Sequence, residues 1–174
     1  MNNHSTKNRR YLILAITLSA IVLIGASCTK KAAEKAAEKS IESASNNQAD
    51  VDIDNDQVTV NTNAGSFQAG ESVSLPSDFP DDVYVIDGTI KTALALTENQ
   101  GYSVSIESNV SVSEAKSTYE SELADAGWTI ASTYSTANGA VLSAQKANRL
   151  ATVSLSEADN QTTVVISTST QSSD

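Results

Sequence analysis

The chain has 174 residues, with 11 Lys+Arg against 21 Asp+Glu, a formal net charge of -10 and 40% hydrophobic residues. That balance repels phosphate backbones, which are bound through Lys and Arg with release of counterions, so the expectation is a protein with no nucleic-acid partner. The one histidine, His4, and the one cysteine, Cys28, both fall within the first 28 residues, which leaves the rest of the chain without an imidazole base, a thiol, a Cys/His metal centre or a disulfide.

At the N-terminus, Lys7, Arg9 and Arg10 precede the apolar run Tyr11 to Ala26, and small residues lead into Cys28. A basic segment, a short apolar segment and small residues are the layout of a secretory signal peptide. An uncleaved membrane helix is the alternative, but the run is shorter than the roughly 20 residues a span needs and holds Thr17 and Ser19. With its box Gly25-Ala26-Ser27-Cys28 the segment resembles a bacterial lipoprotein precursor, departing from that pattern in having Gly25 where leucine is usual. The resemblance implies cleavage before Cys28, a diacylglycerol thioether on its sulfur and a membrane-anchored, exported protein of the cell envelope. Two or three acyl chains make such anchoring stable, because each buried methylene contributes about 0.8 kcal/mol. Thr29, which is not aspartate, implies the outer membrane if the host is Gram-negative. Loss of residues 1–27 removes three positive charges and leaves 8 Lys+Arg against 21 Asp+Glu, so anionic headgroups are disfavoured as direct partners.

Lys30 to Ser45 is rich in helix formers, with opposite charges three apart at Lys31/Glu34, Lys35/Glu38 and Lys39/Glu42. Ala32, Ala33, Ala36, Ala37 and Ile41 form a thin stripe, but large apolar residues are lacking and a solvated helix of about 15 residues is marginal. Residues 28–49 are therefore expected to be a lipidated, partly helical tether. Val51 and Ile53 alternate with acids, and Val58, Val60 and Thr62 alternate after a turn at Asn55-Asp56; Ser66 to Ala69 returns after Asn63-Ala64-Gly65. Residues 50–74 thus read as a small β meander and linker, a flap beside the main domain. Asp50, Asp52, Asp54 and Asp56 suggest calcium, yet a calcium loop begun at Asp52 has Gln57 where glycine is required and Asn63 where glutamate is required. A solvated strand face is the expectation, and no metal site is assigned.

The main domain is expected over residues 75–169. Pro76 and Pro80, both prolines of the chain, make Leu75 to Val83 an extended loop. Val83 and Val85, then Ile90 to Leu96, read as strand, and Tyr102, Val104 and Ile106 as the return. Ser111-Val112-Ser113-Glu114 is a capping box. Val112, Ala115, Tyr119, Leu123 and Ala126 form one helical stripe, and Gly127 ends the helix. Trp128, Ile130, Ser132 and Tyr134 alternate, Asn138-Gly139 is a hairpin turn, and Leu142 with Ala144, Val153 with Leu155, and Val164 with Ile166 mark three further strands. Trp128 and the tyrosines at 84, 102, 119 and 134 are expected in the core, the tyrosine hydroxyls at its rim. Residues 170–174 are a polar tail. The sum is an α+β domain: a curved antiparallel sheet of about six strands packed on one helix. Leu75-Pro76, Phe79-Pro80-Asp81-Asp82-Val83, Tyr119, Leu123, Gly127-Trp128 and the closing strands make residues 41–168 similar to a recurring domain of uncharacterised bacterial lipoproteins and exported proteins. The order of elements also loosely resembles the helix-grip domain of an envelope lipoprotein in the outer-membrane barrel assembly machinery.

Asp78, Phe79, Asp81, Asp82 and Tyr84 on the proline loop are the candidate surface for a basic envelope protein partner, although turn-forming aspartates explain the same residues. No catalytic residue and no cofactor is assigned. The expected function is a non-enzymatic binding or interaction module held at the membrane. The alternative is a carboxylate-dependent glycan hydrolase, which needs two acids about 5 to 9.5 Å apart; Asp78 and Glu107 are its nominal pair.

Overall fold

The computed structural model describes residues 30–45, 48–54 and 56–171. The expected signal peptide and cleavage box, Cys28 and the end of the expected polar tail lie outside them. Two α-helices are described, α1 (Lys30–Ala44) and α2 (Val112–Asp125), with nine strands. These are β1 (Ala49–Asp54), β2 (Gln57–Thr62), β3 (Gly65–Gly70), β4 (Thr89–Leu96), β5 (Gly101–Ser108), β6 (Thr129–Ser135), β7 (Gly139–Lys146), β8 (Arg149–Ala158) and β9 (Gln161–Thr170). All nine form one antiparallel sheet in the order β1-β2-β3-β4-β5-β9-β8-β7-β6.

The expected α+β class holds, with more strands than the six foreseen for the main sheet. The difference is the meander: it is no separate flap, because β3 pairs with β4 from Gly65↔Leu96 to Ala69↔Thr92 and so extends the same sheet. Its few large side chains do not matter, since ladder pairing is made by backbone groups. Gly65 makes the close approach feasible; at φ +146° a Cβ there would collide with the Ala95 carbonyl.

The register carries side-chain parity across the sheet, and the two ends bury opposite faces. Val104 and Ile106 of β5 face α2, as do Ile166 and Val164 opposite them on β9 and Val153 and Leu155 on β8. These meet Ala115, Tyr119 and Leu123 of α2 in the main core. Ser105 points to the other face, and its row runs through Thr92, Ala69 and Val58 to Ile53. There α1 covers a second, smaller core in which Ala49, Val51, Ile53 and Val60 are buried with Ala37, Ile41, Val58 and Phe67 packed on them. The segment expected as a tether is thus helical, as its composition indicates, and docked. Beyond its apolar stripe, Glu38 Oε1 accepts the backbone N–H of Ile53 at 3.0 Å, occupying one amide of the edge strand.

α2 begins at the capping box: the Ser111 hydroxyl accepts from the Glu114 N–H at 3.2 Å. It ends before Gly127, whose φ of +82° is the left-handed stop. Trp128 is buried. Tyr134 is not: 69% of it is exposed. β6 is the far edge strand, and Tyr134 pairs with the exposed Val141 on the face that α2 leaves uncovered. Val83 and Val85 belong to no strand either. Residues 75–87 cross the main core as an irregular strap, and Phe79, Val83 and Ile86 drop into it as side-chain anchors.

Candidate functional site

The strap is fastened by five contacts. The Trp128 indole N–H donates to the Asp82 carbonyl at 2.8 Å, and the Ile86 N–H donates to the Tyr119 hydroxyl at 3.3 Å. Phe79 meets Tyr102 edge to face at 5.7 Å, and Tyr84 meets Tyr119 in the same way at 5.4 Å. The fifth fastening is ionic. The Asp82 carboxylate receives Lys146 Nζ at 2.6 Å and both terminal nitrogens of Arg149, one of them at 2.9 Å. These charge-assisted bonds, Arg149 foremost, hold the Asp82 carboxyl well below the usual carboxylate range against the opposing effect of burial. The same contact raises the Arg149 pKa. The Arg149 guanidinium also lies 4.9 Å from the centre of the Trp128 ring, a cation–π contact. Lys146 donates in addition to the Ala126 carbonyl at 2.7 Å, at the C-terminal end of α2.

Beside this cluster a cleft of about 240 Å3 opens between the strap, the starts of β5 and β8 and the end of β9. Asp78, Pro80, Gln100, Tyr102, Arg149, Thr168, Ser169 and Thr170 line it. Asp78 accepts a hydrogen bond from the Tyr102 hydroxyl; burial first, then that bond and the charge of Asp78, push the Tyr102 pKa up. Pairing of β5 with β9 stops at Tyr102↔Thr168, so Ser169 and Thr170 overhang the cleft. Thr168 is 8% exposed, and its hydroxyl has no hydrogen-bond partner.

Of the five residues expected to form a partner surface, the structure leaves Asp78 and Asp81 exposed. Phe79 is spent in the core, Asp82 is neutralised by the chain's own cations, and Tyr84 packs on Tyr119 with its hydroxyl pKa raised by burial and by Asp87 and Glu122. The strap is therefore not a patch of free acids and aromatics. Sequence reasoning missed Gln100, Arg149, Thr168, Ser169 and Thr170. No local signal marks them: Gln100 lies about 20 positions from the strap, and the strand register brings in Arg149, Thr168, Ser169 and Thr170 across some 70 to 90 positions of chain.

Asp78 and Glu107 do not make a hydrolase pair. Asp78 contacts Tyr102 near the start of β5, while Glu107 stands five residues further along the strand, about 16 Å at strand rise, on the opposite face and 3.5 Å from Lys91. Asp50, Asp52 and Asp54 alternate outward along β1, on its exposed face. Among the described residues no group of three or more His, Cys, Asp or Glu is arranged for a metal, and no helix is long and apolar enough to cross a membrane.

A family described as START domain-like matches residues 90–174. The match opens in β4 and takes in α2 and β5 to β9, the half of the chain whose helix lies on an antiparallel sheet in a manner compatible with a helix-grip arrangement. No curated protein and no solved structure matches the chain.

Proposed function

We propose that the chain is an exported lipoprotein of the bacterial cell envelope whose folded part is a non-enzymatic binding module, with the cleft beside Arg149 as its binding site. The observation that carries the binding role is the cleft itself, about 240 Å3 beside the strap, with Asp78, Gln100, Tyr102 and Arg149 on its walls. The likeness of residues 90–174 to a START domain-like family supports a ligand-binding rather than a bond-making role. The cleft agrees with that role: its arginine is committed to Asp82 and Trp128, and its one carboxylate, Asp78, is held by Tyr102.

The anchor is read from the sequence: a basic start, a short apolar run and a cysteine after small residues. On this reading the acyl chains at Cys28 hold the module at a membrane, the outer one in a Gram-negative host, where an envelope component is its partner. Membrane and soluble fractions test the anchor. The intact chain should sediment with membranes and Cys28→Ala should be released; equal partition of the two overturns it. Crosslinking in the native cell, read by mass spectrometry, tests the binding role: one reproducible neighbour is expected at residues around the cleft, and crosslinks scattered evenly over the surface overturn it.

A further inference from the structure

We propose that the cleft beside Arg149 binds a neutral sugar residue of an envelope glycan; this rests on the binding-module reading and names the ligand class of that site. Size is the first argument. At about 240 Å3 the cleft lies below the roughly 300–1,000 Å3 of pockets that enclose whole drug-sized ligands, so it takes one ring-sized part of a larger molecule that continues into solvent.

Charge is the second. A carboxylate or phosphate entering the cleft would meet the Asp78 carboxylate, and the nearby guanidinium already has its charge matched by Asp82. A cation would meet that guanidinium. A neutral ligand meets neither penalty.

The hydrogen-bonding inventory is the third. Gln100 offers a donor and an acceptor, Asp78 accepts, and Tyr102, Ser169 and Thr170 bear hydroxyls. Sugar hydroxyls likewise donate and accept, so they find partners here. An acyl chain would instead bury these polar groups unpaired, with the Pro80 ring and the Tyr102 edge as its apolar contacts.

Trp128 is the built-in reporter, being the single tryptophan and lying 4.9 Å from the Arg149 guanidinium that lines the cleft. The full chain is titrated with neutral hexose and N-acetylhexosamine oligosaccharides, following tryptophan emission and, in parallel, heat by calorimetry. Sugar acids, sugar phosphates and a short-chain monoacyl phospholipid are the comparison ligands. The expected result is saturable binding of a neutral oligosaccharide that sugar acids do not displace, weakened about tenfold in Tyr102→Phe and in Gln100→Ala. Gln100 is exposed, so its variant keeps the test valid if the buried substitution disturbs folding. Absence of heat and emission change up to about 10 mM of every neutral sugar overturns the proposal. Saturable binding of the monoacyl lipid alone also overturns it while leaving the binding role intact, whereas failure of every ligand together with scattered crosslinks removes both.

Discussion

Asp82 shows how a residue read correctly as a charge can be read wrongly as a surface. Its neighbours in sequence are acids and turn formers, so nothing nearby indicates that its partners are Lys146 and Arg149, 64 and 67 positions on. Because its folded pKa is depressed, the native state holds fewer protons at this carboxyl than the unfolded state. Its stabilisation is complete above the unfolded value of about 4 and is lost as pH falls toward the lower folded value. Urea unfolding should therefore show stability falling below about pH 5, with a shallower fall in Asp82→Asn; parallel curves for the two proteins would refute the assignment. Tyr119 makes a second case. Its stripe position was legible from the spacing of Ala115, Tyr119 and Leu123, and burial pushes its phenol pKa upward. The bond from Ile86 to its hydroxyl was not legible. Tyr119→Phe leaves that buried amide without an acceptor, so a loss of about 1–3 kcal/mol is expected in chemical denaturation, whereas an unchanged midpoint would show that the bond contributes nothing.

Helix α2 and its caps follow from local rules, since the Ser111 box and Gly127 act within one turn of chain. The same holds for the β8–β9 turn, where Asp159 and Asn160 take the left-handed conformation with φ of 52° and 62°. What local rules did not supply was the docking of α1. Its alanine-rich stripe carries too little apolar area to predict burial by itself, but β1 provides both an apolar face and an unpaired edge amide for Glu38. Ile41→Asp should free the helix, and amide exchange in β1 and β2 should then quicken while α2 and β8 keep their protection; uniform quickening would mean that the two cores are not separable. At the sheet edge, α1 occupies two outward amides of β1, through Glu38 at Ile53 and Ser45 at Ala49, and the exposed aspartates guard the rest of the strand. Replacing Asp50, Asp52 and Asp54 together by asparagine should raise self-association in sedimentation velocity, and a chain that stays monomeric would assign the guard elsewhere.

Taken whole, the molecule is one sheet with a helix on each face, the α1 core at one end and the α2 core toward the other. The sequence pattern makes every strand visible, and all pairings but one join strands that are neighbours in sequence; the exception, β5 beside β9, is set by contacts far apart in the chain. The strap shows the converse: Val83 and Val85 alternate as a strand would, yet prolines at 76 and 80 and anchoring by Phe79, Val83 and Ile86 leave it no ladder partner. Deleting residues 30–70 should do more than remove a flap. It makes β4 an edge and uncovers Leu94, which pairs with Phe67, so a lower urea midpoint and a greater tendency to aggregate are expected; an unchanged midpoint would restore the view of β1–β3 as an appendage. The position of β9 has a different consequence. This strand is made after the other eight yet lies between β5 and β8, so a polypeptide threaded through a pore N-terminus first cannot close its sheet until that keystone arrives. A stall just short of Gln161 strands two raw ladders on either side of an empty slot, and maturation becomes a single late event rather than a gradual one.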